Sequence, residues 1–119
     1  MKIKLFDSEL KIMEILWKEG SISAKKIAEI IKEDIGWSKT TTYTVIKKCI
    51  DKDAIERIEP NFICHPLISR EQAQEYETTE LVEKMFNGST DQLIASLVNN
   101  KSLTKQGLDK LKELIKSLD

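Results

Sequence analysis

Between Trp37 and Cys49 the chain reads WSKTTTYTVIKKC, a set of side chains suited to meeting an anion. Thr40, Thr41, Thr42 and Thr44 surround Tyr43, Lys47 and Lys48 follow, and no acidic residue occurs from Ile35 to Ile50. Threonine is a mediocre helix former, because its branched β-carbon restricts χ1. Ser38 nevertheless stands as a helix N-cap, and Val45, Ile46, Cys49 and Ile50 recur at helical spacing. The spacing predicts a helix from Ser38 to about Lys52. With Thr42, Val45, Ile46 and Cys49 inward, Lys39, Thr40, Tyr43 and Lys47 point outward, and Ser38, Thr41, Thr44 and Lys48 lie on the flanks. A hydroxyl can bond a phosphate or a base edge, and a threonine methyl can meet a thymine methyl. Lysines reach phosphates, which would repel acids, and the helix start aims free N–H groups at an anion.

Composition alone favours an ordinary solvated helix face; the order of the surrounding elements reverses that preference. A first helix is expected after Asp7 or Ser8, with Leu10, Met13, Leu16 and Trp17 on one face and Gly20 as its stop. Ser21-Ile22-Ser23 continues in extended form to a second helix capped by Ser23, with Ile27, Ile30 and Ile31 as its apolar stripe. After the threonine-rich helix, two β-prone runs flank Glu59-Pro60-Asn61 and read as a hairpin, with Pro66 confining the second to an edge or marking its end. Ser69 and Gln72 form a capping-box pattern, Ser89 to Gln92 repeats it, and Thr104 caps a last helix.

Three helices and a hairpin are the order of a winged helix-turn-helix, whose second motif helix enters the major groove. On that reading Lys39, Lys47, Lys48, Ser23, Lys25 and the Ser38 helix start contact phosphates, while Thr40, Thr41, Tyr43 and Thr44 read bases. Arg57, Asn61 and His65 on the hairpin are in reach of a phosphate or the minor groove. The expected fold is mostly α, with a winged-helix domain at 1–67 and a three-helix dimerisation domain at 68–119. Three short helices make a thin core alone, so their stripes are expected to pack on a second copy. Those stripes comprise Leu81, Met85, Phe86, Leu93, Ile94 and Leu97, then Leu108, Leu111, Ile115 and Leu118.

Other classes find little support. The chain has 19 basic and 20 acidic residues, so net charge decides nothing, although residues 1–67 are slightly basic and the remainder slightly acidic. Two cysteines make no disulfide framework, and no apolar run approaches the roughly 18 residues of a membrane span, so a reduced cytoplasmic protein without membrane insertion is expected. Cys64 and His65 are adjacent on a strand and point to opposite faces, so neither a metal nor any other cofactor is expected. One histidine and no glycine-rich phosphate loop leave no catalytic constellation.

Three stretches, SELKIMEILWKEGSISAKKIAEII, WSKTTTYTVIKKCIDKDAIER and FICHPLISREQA, together resemble the BlaI/MecI/CopY repressors of penicillinase, methicillin-resistance and copper-export genes. The resemblance covers nearly the full chain, with NGSTDQLIASLVNNKSLTKQGLDKL matching in outline. It implies a homodimeric transcriptional repressor of the antibiotic-resistance type on an inverted-repeat operator in double-stranded DNA. It also implies relief by proteolysis or another signal, with a membrane sensor protease acting indirectly. Lys48, Cys49 and Asp53 stand where relatives often carry arginine, leucine and glycine. The Asn-Phe bond cleaved in penicillinase-type relatives is missing at Ala95-Ser96-Leu97-Val98, and no C-terminal cysteine cluster of the copper type is present. Two rival readings remain at this point: a winged-helix protein-interaction module without DNA binding, and a repressor that senses a small ligand.

Overall fold

The computed structural model describes residues 3–117. Six helices and three short strands follow in the order α1 (Asp7–Glu19), β1 (Ile22–Ser23), α2 (Ala24–Ile35), α3 (Lys39–Asp51), β2 (Ile55–Ile58), β3 (Ile63–Pro66), α4 (Arg70–Phe86), α5 (Thr90–Asn99) and α6 (Lys105–Ser117). The chain divides into two compact units, Met1–Glu77 and Thr78–Asp119.

In the first unit α3 packs against both α1 and α2. Ile12, Met13 and Leu16 of α1, Ile27 and Ile31 of α2, and Val45, Ile46 and Cys49 of α3 close over Ala54, Ile55 and Cys64. The α1 face differs from the expected one: Leu10 is exposed and Ile12 is fully buried. The rotation follows from Glu9, whose side chain is 1% exposed and turned inward. Its carboxylate accepts from Phe6 N (2.8 Å) and pairs with Lys52 Nζ, which also donates to Lys4 O (2.8 Å). Glu9 thereby caps α1 from inside, and the helix begins at Asp7 with Phe6 before it.

The hairpin is present, and the extended Ile22–Ser23 stretch joins it as a third strand. The sheet is antiparallel in the order β1-β3-β2, with Ile22 opposite Cys64 and Arg57 opposite Cys64 on the other side. β3 is therefore central, and of the two roles open to Pro66 it is the strand end that applies. Asp53, just past α3, takes φ +63°, a left-handed conformation that aspartate adopts more readily than most residues.

Past the sheet, Trp17 Nε1 donates to Ile68 O (3.0 Å), and Arg70 lies over the Trp17 ring while pairing with Glu14 (2.9 Å). Ala73 is buried. These contacts hold the first two turns of α4 in the first unit, so the boundary between units falls inside α4 instead of at residue 67. The capping box at Ser69 forms in both directions, Gln72 N to Ser69 Oγ (3.1 Å) and Ser69 N to Gln72 Oε1 (2.8 Å). Ser89 and Thr104 cap α5 and α6 through Gln92 N (3.2 Å) and Gly107 N (3.0 Å).

The second unit contains the rest of α4 with α5 and α6. Val82 is buried, but neither α5 nor α6 has a buried residue.

Candidate nucleic-acid interface

The helix over Lys39–Asp51 starts at Ser38, whose extended backbone and hydroxyl satisfy the first turn: Thr41 N donates to Ser38 Oγ (3.1 Å). The N-terminal end of α3 thus faces solvent with a positive dipole end and no acid in its first turn. Inward, Thr42, Val45, Ile46 and Cys49 are buried. The buried threonine is tolerated because its Oγ1 donates to Ser38 O (3.0 Å), leaving only its methyl to pack.

The remaining threonines differ from one another. Thr44 Oγ1 donates back to Thr40 O (2.9 Å), so outward it offers lone pairs and a methyl group. Thr41 Oγ1 accepts from Ser38 Oγ (3.0 Å). The Thr40 hydroxyl has no protein partner among the described residues and is free both to donate and to accept. Lys39, Thr40, Tyr43, Thr44 and Lys47 together line one shallow groove. Lys48 is exposed but lies outside that lining.

A second groove runs along the turn between α2 and α3, where Lys25, Lys32, Trp37, Ser38 and Lys39 come together. Gly36 makes this turn with φ +78°, donating to Ile31 O (3.2 Å) and Lys32 O (3.0 Å). Lys32 was not among the residues expected from sequence; at the polar edge of an amphipathic helix nothing but this turn singles it out. Ser23 caps α2 by accepting from Lys26 N (3.1 Å), and Lys25 beside it is exposed.

The wing is tied to α3 through Phe62, a residue the sequence did not single out. Its ring meets Tyr43 edge-on, with centroids 5.8 Å apart at 87°, and its carbonyl accepts from Ala24 N (2.9 Å). Tyr43 is consequently half-buried, with Lys39 Nζ 5.6 Å from its ring. The Arg57 guanidinium lies 3.7 Å over the Phe62 ring and is ion-paired with Glu59. Asn61 occupies the exposed tip with φ +75°. His65 is exposed and its Nδ1 lies 2.6 Å from Ser21 Oγ, while Cys64 beside it is buried.

Burial pushes the Cys49 thiol up to about 12, with the nearby Glu9 carboxylate adding to the effect, and burial pushes Cys64 to about 11. Both stay protonated and unreactive at neutral pH. Among the described residues no group of three or more metal-ligating side chains forms, and no helix is long and apolar enough to cross a membrane.

In the second unit Leu81, Met85, Ile94, Leu97, Leu108 and Ile115 are exposed, Met85 by 65% and Ile115 by 55%. Phe86, Leu93 and Leu111 are half-buried, and Leu118 lies outside the described residues.

Three helices and a three-stranded sheet, with the third helix free of acids up to Ile50 and backed by a wing, define a winged helix-turn-helix. Residues 5–117 match the family model described as penicillinase repressor. The chain belongs to the penicillinase repressor family, whose members are transcriptional repressors and not enzymes. It is 21% identical over 114 residues to the penicillinase repressor of Bacillus licheniformis, covering 94% of this chain and 89% of that one. Its fold is similar to the solution structure of the DNA-binding domain of the repressor BlaI, with a TM-score of 0.55 and 25% identity over 59% of this chain and 88% of that one. It is also similar to monomeric B. licheniformis BlaI in complex with the blaP half-operator, with a TM-score of 0.52 and 25% identity over 60% and 89% of the two chains.

Proposed function

We propose that this chain represses transcription as a homodimer, each winged helix gripping one half of an inverted-repeat operator. The observation that carries the reading is the groove of Lys39, Thr40, Tyr43, Thr44 and Lys47 on a helix that carries no acid before Asp51. Thr40, Thr41, Tyr43 and Thr44 read base edges, whereas Lys39, Lys47, Lys48, Ser38, Ser23, Lys25 and Lys32 position the protein on phosphates. Arg57 and Asn61 bring the wing to the flanking backbone. The half-operator bound by BlaI, whose fold is similar, supports DNA binding by this domain.

Dimerisation is supported by the exposed apolar side chains of the second unit. Eight large ones, Leu81, Met85, Ile94, Leu97, Val98, Leu108, Leu114 and Ile115, are exposed on only three helical segments. Burying each more fully yields on the order of 1 kcal/mol, enough together to hold a dimer. Relief of repression follows proteolysis in this region, under a membrane sensor protease acting indirectly, or another signal. With Ala95-Ser96-Leu97-Val98 in place of the Asn-Phe site, any cleavage occurs at a different bond.

Titration of labelled duplex with the full chain at increasing salt tests the reading. A repressor loses affinity steeply as salt rises, by a slope set by the phosphates it contacts. A protein-interaction module without DNA binding shows no such titration.

A second reading, small-molecule control of the repressor, is favoured by a cleft of about 770 Å³ between the segment Ile3–Ser8, α1 and the start of α4. Phe6, Leu10 and Trp17 give it apolar walls of a size suited to a small organic ligand. Its mark is a ligand-dependent rise in melting temperature without cleavage.

A further inference from the structure

We propose that Glu59 restrains the wing: it holds Arg57 in an intramolecular ion pair with which a DNA phosphate must compete. The proposal rests on the DNA-binding reading above and adds to it a residue that sets how tightly the duplex is held.

Arg57 is fixed on two sides. Its Nε donates to Glu59 Oε1, and its guanidinium carbon lies 3.7 Å from the centre of the Phe62 ring. The other Glu59 oxygen, Oε2, accepts from Phe62 N (3.4 Å), so one carboxylate bridges the arginine and the backbone of the wing tip. Phe62 in turn abuts Tyr43 on α3. Arg57 therefore stands one aromatic ring away from the groove of α3, at the place where a strand of DNA leaving that groove would meet the wing.

Both partners are accessible, with side chains 48% and 58% exposed, so the pair is open to competition. The hydrogen bond from Arg57 holds the Glu59 carboxyl below its usual range, with the Phe62 N–H and the Arg57 charge adding to the effect. Only Nε is engaged; the two Nη groups have no protein partner among the described residues. A phosphate can dock on that free edge, but it then lies beside a carboxylate of like charge. Either the phosphate displaces Glu59 or it binds against its repulsion. In both cases Glu59 weakens binding, and it does so without regard to base sequence, because phosphates carry no sequence information. On α3 no acid precedes Asp51 at its C-terminal end, and on the wing Glu59 is the acid ion-paired with a cation of the interface.

Glu59→Gln removes the charge and keeps an oxygen for the Phe62 N–H, so the turn retains its bond. Binding of the full-length variant is measured by fluorescence anisotropy on an operator duplex and on a scrambled duplex over a series of salt concentrations. The expected result is about fivefold tighter binding to both, with the slope of log K against log salt steeper by about 0.9, one additional phosphate contact. In an Arg57→Gln background the same Glu59→Gln change should gain less than about twofold, because no guanidinium is left to release. An equal gain in both backgrounds overturns the proposal in favour of general charge repulsion, and no gain in either overturns it outright. If neither wild type nor variant binds any duplex in a salt-dependent way, the DNA-binding reading fails and this role of Glu59 with it.

Discussion

Lys52 and Glu9 join the end of α3 to the start of α1, and their removal should have unequal effects. Glu9 is 1% exposed and Lys52 28%. Replacing Lys52 by methionine strands a carboxylate that water cannot reach and that keeps, among the described residues, only the Phe6 N–H as a partner. Breaking a fully buried pair from one side typically costs about 3–5 kcal/mol. Because the ammonium already touches solvent, the pair is only partly desolvated, and the expected loss is about 2–3 kcal/mol. Replacing Glu9 by glutamine is milder. The amide oxygen still accepts from Phe6 N, and Lys52 retains Lys4 O, the Phe6 ring 4.1 Å away and water. Its expected loss is about 1 kcal/mol, a hydrogen bond to a charged group traded for a weaker one. Urea unfolding of the full chain at one fixed protein concentration measures both, read as shifts of midpoint at constant slope. Equal losses, or a larger loss for Glu9→Gln, would refute the inward, water-excluded placement of Glu9.

Thr42→Ala should destabilise by about 1–2 kcal/mol while leaving base preference intact, whereas Thr40→Ala should leave the urea midpoint unchanged and relax preference at one base position by about 1–3 kcal/mol; urea unfolding and competition binding separate the two. Ile115→Asp should leave the first unit folded and raise the dimer dissociation constant at least about 100-fold, as seen by sedimentation, because an unpaired charge enters an apolar seam. The thiols set an alkaline limit: both are raised in the folded protein, Cys49 from 9.0 to about 12 and Cys64 from 9.0 to about 11. The unfolded chain therefore loses these protons first, so stability is intact below pH 9 and falls above it, by up to about 1.4 kcal/mol per pH unit for each thiol. Alanine at Cys49 or Cys64 should flatten that fall in urea midpoints measured across the same range.

The helices were legible because their ends are written in side chains. Ser23, Ser38, Ser69, Ser89 and Thr104 each accept from a backbone N–H three residues on, a local bond that sequence displays directly. The rotation of α1 was not. Leu10, Ile12, Met13, Ile15, Leu16 and Trp17 surround much of that helix, so periodicity leaves its inner face open. The choice is made by Glu9 reaching Lys52, 43 residues away, and an isolated glutamate looks like any solvated acid. β1 escaped for a similar reason: two residues become a strand only when Ser23 and Ile22 find Ile63 and Cys64. In the interface, the threonine-rich helix declared itself by what it lacks. Phe62 and Glu59 did not, since their importance lies in an aromatic contact and an ion pair made across the wing. The half-burial of Tyr43 against Phe62 was equally invisible in a string of threonines.

Selection of random duplexes by the full-length protein at near-physiological salt, read out by sequencing, tests the reading of α3 and the dimer together. Recovery of an inverted repeat whose half-sites lie about 10–10.5 base pairs apart, or a multiple of that, is the expected result. A folded dimer that enriches no sequence, or only a single unpaired half-site, would contradict the paired, base-reading role given to the helix from Lys39 to Asp51.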